Sequence, residues 1–373
     1  MDACRPRGLI ISQWRIVTKP DVAVAGAGPA GLTAALRLAR LGYRVTVYEK
    51  CSFPRARIGE ALTPGIVPIL EWLGLADAIN TAGFLRPRSG LVAWDGAEER
   101  IVHWDVPGYH VDRSGFDGIL LDAARSAGTR VVWQPMPPLA NTFVIDATGR
   151  RGLIPAHRVR LGPPLLALYA YWRGVRTPGD GAVVEAGAEE WFWAATVPSG
   201  AVNVMVFLEP SRARHPEAVY LEALTRFSLL RGPLELGTHG PVIALDASSW
   251  VTLEPCGEGF IKTGESAFSV DALSSQGVQL AMQSGIQAAA VVNTIFSGGD
   301  GSLANAFYRS RQLTAAIHNH RIACEYYGKL SARGEFWSRR RVPQRIQVPD
   351  TPSGRLVGDL VVGAGQAGSL TAD

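Results

Sequence analysis

The chain has 373 residues, 47% hydrophobic and 19% charged, enough apolar sequence for one large domain or two modest ones and too much for a disordered chain. Its 37 basic and 33 acidic residues leave a formal charge of +4, with no dense basic stripe and no zinc-finger spacing, so nucleic-acid binding is not expected. No apolar run reaches membrane-spanning length. The four cysteines, Cys4, Cys51, Cys256 and Cys324, form no CxxC pair and no disulfide framework, which fits a reducing, cytoplasmic setting. Lysine occurs only at positions 19, 50, 262 and 329, so arginine carries nearly all the positive charge.

Residues 1–19 read as a short extension, because Ser12 and Gln13 interrupt the apolar character that a signal peptide needs. Residues 21–25 (DVAVA) then predict a strand, Gly26-Ala27-Gly28-Pro29-Ala30-Gly31 a tight turn, residues 32–42 a helix, and residues 44–48 (RVTVY) a second strand that ends on Glu49. This order describes a dinucleotide site. Gly26 permits the turn, Gly28 admits a pyrophosphate, and Gly31 allows close packing of helix on strand. Ala30 lies within the glycine turn, Glu49 is placed to accept ribose hydroxyls, and Lys50 follows it. The helix N-terminus adds donors and a favourable dipole.

Further along come FPRARIGEALTP (residues 53–64), VIDATGR (residues 144–150) and a long segment from Gly259 to Val292 that contains GES and DALSSQG. Together these motifs resemble the flavoprotein monooxygenases related to aromatic hydroxylases and tryptophan halogenases, over roughly residues 20–325. The resemblance implies bound FAD and an α/β fold, a Rossmann-like FAD-binding domain interleaved with an antiparallel-sheet substrate domain. It also implies that Arg57 and Arg113 face the diphosphate or flavin edge, that Asp146 and Gly149 close the nucleotide fold, and that Gly264-Glu265 contacts the flavin. Glu265 replaces the family's aspartate there, and Ala272 stands where proline is usual. Ser275, Gln276 and Gly277 would begin a helix whose N–H groups face the flavin ring; a capped core helix is the plainer account of the same residues.

The expected division is residues 20–83, 107–164 and 251–299 for FAD, and residues 84–106 and 165–250 for substrate. Residues 300–337 form a helical segment, and residues 338–373 a tail or cover. Strands are predicted in LLALYAYWRG, GAVVEA, EWFWAATVPSG and AVNVMVFLEP, and a helix in HPEAVYLEALTRFSLL. Trp94, Trp104, Trp191 and Trp193 are the expected walls of the substrate pocket. Arg339, Arg340 and Arg341 read as a solvated face or helix end, or as contacts to an acidic partner. GAGQAG (residues 363–368) lacks the following helix and strand of a nucleotide site.

EWFWAATVP resembles the Trp-x-Trp-x-Ile-Pro signature of flavin-dependent halogenases with its proline delayed; a strand packing alternate tryptophans on one face accounts for it equally. The family's halogenases carry a lysine shortly after the GEA-x-x-P segment, and here none lies between Lys50 and Lys262. Arginine stays protonated and is a poor substitute. The resemblance therefore favours a monooxygenase using O2 through a flavin C4a-hydroperoxide. Length and the DALSSQG and GEALTP motifs resemble the maturation flavoproteins of quinone-cofactor enzymes, which implies a tryptophan on a partner protein or peptide as substrate. Small-molecule hydroxylation or halogenation, and a non-catalytic FAD-bearing maturation chaperone, are the alternatives. Electrons would come from a separate reductase or diffusible NAD(P)H. His110 and Glu60 are the candidate proton-transfer residues, with an ordinary strand-edge histidine and a surface Glu60–Arg57 pair as the plainer accounts. No metal constellation is expected; His318 and His320 are two apart on a predicted helix and do not face together.

Overall fold

A computed structural model describes residues 19–55, 57–94, 99–330, 334–343, 346 and 354–363. From the amino end run β1 (Asp21–Ala25), α1 (Pro29–Arg40) and β2 (Arg44–Tyr48). Strands β3 (Ser89–Ala93) and β4 (Arg100–His103) belong to a second sheet, after which α2 (Arg113–Ser126), β5 (Arg130–Val132) and β6 (Phe143–Asp146) return to the first. The second sheet resumes with β7 (Leu166–Arg173), β8 (Val183–Ala186), β9 (Trp191–Thr196), β10 (Val202–Leu208) and β11 (Ile243–Asp246). Strand β12 (Phe260–Lys262) rejoins the first sheet, and α3 (Gly277–Phe296) and α4 (Gly301–Gly328) follow.

The first sheet has six strands, with β12, β6, β1, β2 and β5 parallel and Cys256–Gly257 antiparallel at one edge. Parallel strands are covered on both faces and read as apolar runs, as in DVAVA and FVID. Helices α1 and α3 cross tightly through small residues: a Cβ on Gly285 would lie 2.4 Å from the Ala30 carbonyl oxygen. The second sheet has eight strands, in the order β7, β10, β9, β8, β3, β4 after an edge formed by Thr238–His239 and β11. It is antiparallel except for one pair. Strand β3 runs parallel to β8, because the two are joined by a long crossover through the first sheet and not by a hairpin.

Two other expectations change, and the C-terminal segment takes the form of a cover. The helix expected across residues 215–230 is shorter: Pro216–Leu224 is helical, and a separate turn Arg231–Glu235 follows. Arg340 is not solvated. Its guanidinium donates to Glu209 (2.8 Å), to the Phe336 carbonyl (2.9 Å) and to the Pro164 carbonyl (2.6 Å), so a buried cation fastens the segment after α4 to the eight-stranded sheet. In the C-terminal segment, Gly354–Val357 and Leu360–Gly363 form a hairpin against α3 and α1, through Asn293 to the Asp359 carbonyl (2.9 Å) and Asp359 to Arg37 (2.5 Å). Most of GAGQAG, from residue 364, lies outside the described residues, as does the N-terminal extension to residue 18. No described helix is long and apolar enough to cross a membrane.

Candidate functional site

The turn after β1 supplies the anion-binding end of α1. Gly28 is the extended N-cap residue and makes no side-chain cap, so the first-turn N–H groups have no capping partner. A Cβ on Gly31 would sit 2.1 Å from the Gly26 carbonyl oxygen, so only glycine fits there. Above Gly28 the nearest atom is an Arg55 guanidinium nitrogen, 3.9 Å from where a Cβ would stand. Buried Glu49 accepts from the Ala27 amide (2.9 Å) and the Cys51 amide (3.0 Å), and each oxygen retains acceptor capacity. Exposed Lys50 follows it.

The arginine over the glycine turn is Arg55, not Arg57. Arg55 donates to the Ala27 carbonyl (2.7 Å) and lies 3.6 Å from Glu49 and 3.7 Å from Asp117. Burial lowers its pKa, against the opposing pull of those carboxylates. Its Nε is buried with no hydrogen-bond partner among the described residues. Arg57 is exposed. The two arginines are two positions apart, and the 4.8 Å contact of Arg55 with Phe53 accompanies the selection of the first. Arg113 is held by Asp117 (3.0 Å) and by the Ile58 carbonyl (2.5 Å), so it fixes the loop before Glu60.

Asp146 is fully engaged by protein. It accepts from Thr148 (2.6 Å), from the Leu153 and Ile154 amides (2.9 and 3.0 Å) and from Lys262 (2.9 Å). These bonds outweigh burial and hold its carboxyl below the usual range. It shapes the strand end, and Gly149 begins the turn that follows at φ +75. Exposed Glu265 pairs with Arg150 (3.2 Å). Ser275 is left-handed at φ 50, and α3 begins at Gly277 with no side-chain cap, so the serines do not make the plain capped helix. Helix α4 braces this loop at two points, Asn319 donating to Gln276 (2.9 Å) and Tyr327 to Asp271 (2.9 Å).

One face of the eight-stranded sheet is aromatic and turns towards this loop. Trp191 lies opposite Phe207, Trp193 opposite Met205, Met205 opposite Tyr169, and Asn203 opposite Tyr171, so these residues share a face. The Trp104 ring covers Gly90 at the outer end of the same face. Trp191 is not a pocket wall. It is fully buried, stacked on Phe207 at 3.9 Å, while Trp94 meets Trp191 and Trp337 edge-on at 6.0 and 5.8 Å. Trp193 is half-buried and keeps open surface.

Glu60 reaches this face from the flavin-side loop. It is buried and accepts from the Tyr171 hydroxyl, the Asn203 amide (3.2 Å) and the Gly59 amide (2.8 Å); no surface pair with Arg57 forms. Burial pushes its carboxyl above the usual range. His110 is adjacent, since Ala61 pairs with His110 and the Val111 amide donates to the Glu60 carbonyl (2.9 Å). Its Nδ1 lies 3.1 Å from the Thr196 carbonyl and burial lowers its pKa, so the ring is neutral with the proton on Nδ1. His103 stands apart on exposed β4. No cluster of metal ligands occurs among the described residues.

The profile of the tryptophan halogenase family matches residues 21–104. A tryptophan 2-halogenase of Chondromyces crocatus is 30% identical over 88% of this chain and 72% of its own. The chain belongs to the flavin-dependent halogenase family. Among solved structures, the flavin-dependent halogenase CmlS superposes with a TM-score of 0.80 at 26% identity, over 88% of this chain and 68% of that one. The peptidyl tryptophan dihydroxylase QhpG, described as essential for tryptophylquinone cofactor biogenesis, superposes at 0.76 and 27% identity over 93% and 86%. The fold is thus the FAD-binding fold of these enzymes, and the protein is an FAD-dependent oxidoreductase. The residues fit that cofactor: the open cradle at Gly28, the unpartnered Arg55 Nε and the Glu49 carboxylate suit a diphosphate and a ribose.

Proposed function

We propose that this enzyme halogenates an electron-rich aromatic ring, with tryptophan or a tryptophan-like indole as the substrate class. The observation that carries this reading is the similarity to a tryptophan 2-halogenase along 88% of the chain. It reverses the order in which the lysine count alone places halogenation and hydroxylation. FAD, when bound and reduced, supplies the electrons that activate O2. Halide is oxidised at the expense of O2, and the ring gains the halogen and gives up one proton; residues of this chain position these partners. Tyr171 and Asn203 hold Glu60 at the junction of the two domains, where its carboxyl can take or return the ring proton. Trp193 offers flat apolar surface to an aromatic substrate and helps exclude water.

Hydroxylation of a tryptophan on a protein or peptide is the second reading. It is favoured by the lysine distribution: Lys262 is buried in an ion pair, and residues 51–261 contain no lysine. QhpG, with its peptidyl substrate, also matches more of both chains than CmlS does. The test is to supply the FAD-loaded enzyme with a flavin reductase, NADH and O2, with free tryptophan and tryptophan-containing peptides, with and without chloride or bromide. A halogen in the product supports the first reading. An oxygen adduct formed equally well without halide overturns it for the second.

A further inference from the structure

Ligands of open parallel sheets bind outside the carboxyl ends of the strands. Strands β1, β2 and β5 are mutually parallel, so the glycine turn, Glu49 and Trp133 emerge at one edge of the sheet. The Glu49 amide donates to the Val132 carbonyl at 3.0 Å, which places Trp133 next to the residue read as the ribose acceptor. The Gln134 amide donates to the same carbonyl at 3.0 Å, so Trp133 is the apex of a tight turn. There it is 42% exposed, a large indole left partly in water beside a nucleotide fold.

Its surroundings lead back to the cradle. The Trp133 ring lies 5.6 Å from Phe53 with the planes inclined at 46°, an open wedge and not a closed stack. Phe53 in turn lies 4.8 Å from the Arg55 guanidinium, which stands over Gly28. Arg125, from the last turn of α2, stands over the indole at 5.6 Å, and the ring keeps its exposed surface. A track of Trp133, Phe53, Arg55 and Gly28 therefore runs from the outer strand to the diphosphate cradle. Its order matches base, ribose and diphosphate. A purine stacks on an indole without needing hydrogen bonds.

We propose that Trp133, with Phe53 at its edge, is the platform for the adenine of FAD and makes the site selective for the dinucleotide over the mononucleotide flavin. This rests on the assignment of FAD, and the experiment separates the two. Apoprotein is titrated with FAD, ADP and FMN by calorimetry. Trp133→Ala is expected to weaken FAD and ADP by about tenfold, as loss of one base stack does, and to leave FMN unchanged. Trp133→Phe should stay within about threefold of wild type for all three. Trp133→Gln, of similar reach but without a ring, should behave as Trp133→Ala and serves in its place if that variant does not fold. FAD and ADP affinities within about twofold of wild type in the Ala or Gln variant, or an equal loss for FMN, overturn the platform. Wild-type protein that binds neither FAD nor ADP overturns the cofactor assignment and the platform with it.

Discussion

The Glu60 carboxylate, carried by the loop that follows Arg55, accepts the hydroxyl hydrogen of Tyr171 in the eight-stranded sheet. A buried acid whose pKa is raised by burial therefore joins this loop to the eight-stranded sheet, beside the apolar packing of Ile58 and Leu273 on the same face. The folded state favours the protonated form more than the unfolded chain does. The stability it contributes is present at low pH and lost as pH rises through the raised folded pKa. Glu60→Gln removes the charge and lets its amide meet Asn203 Oδ1, which has no partner among the described residues. Urea unfolding should show the variant about 1 kcal/mol more stable at about pH 8, with no gain at about pH 4. Turnover should fall in the same variant. Full turnover would remove Glu60 from the chemistry.

His110 shifts stability in the opposite direction. Burial lowers its pKa, against the Thr196 carbonyl and Asp180, which favour the charged form. The unfolded chain takes up a proton from about pH 6.5 downwards, whereas the folded chain resists it. Stability is therefore complete above that pH and declines as pH falls towards the lowered folded pKa. His110→Phe should flatten the decline between about pH 7 and pH 5, at a cost of about 1 kcal/mol for the lost bond to Thr196. Thermal unfolding across that interval checks it, and an unchanged slope would assign the acid sensitivity to other groups.

Arg55 and Arg57 give a paired test of the cofactor site. Arg55→Ala removes the guanidinium over Gly28 and should weaken FAD binding by about tenfold or more, since charge-assisted bonds to phosphate are among the stronger polar contacts. Arg57→Ala, at an exposed position, should change it by less than about threefold. Equilibrium dialysis of flavin against the two apoproteins distinguishes them, and the reverse ranking would restore Arg57 to the diphosphate.

What could be read in the chain was local. The strand, glycine turn, helix, strand and acid follow from spacing over residues 21–49, because each step depends on near neighbours. The same reasoning could not choose between Arg55 and Arg57, where the path of Phe53 and Pro54 decides. Nor could it find the partners of Glu60, since Tyr171 and Asn203 lie 111 and 143 positions away and only the packing of two domains brings them together. Period-two alternation set Trp191 and Trp193 on one face, but depth on that face depends on what covers it. Phe207 stacks on Trp191 and Trp94 meets it edge-on. Arg340 shows the same limit, a charge in a basic run becoming buried because Glu209 and two carbonyls await it.

Lys262 bears on the reaction itself. Its side chain is 0% exposed and its ammonium lies 2.9 Å from an equally buried Asp146, with a further bond to the Ile154 carbonyl. An amine so held cannot carry a halogen to a substrate. Its role is to neutralise the strand end behind the nucleotide turn. Removing one partner of a buried pair leaves the other charge uncompensated, so Lys262→Met should lower stability by about 3 kcal/mol. The double variant with Asp146→Asn should recover part of that loss, because the remaining charge goes with it. Activity per bound FAD should stay near wild type in whatever fraction of Lys262→Met is folded, measured beside its thermal unfolding. A variant of full stability that has lost only halide-dependent turnover would make Lys262 the reacting amine, and would require the Asp146 pair to open during the reaction.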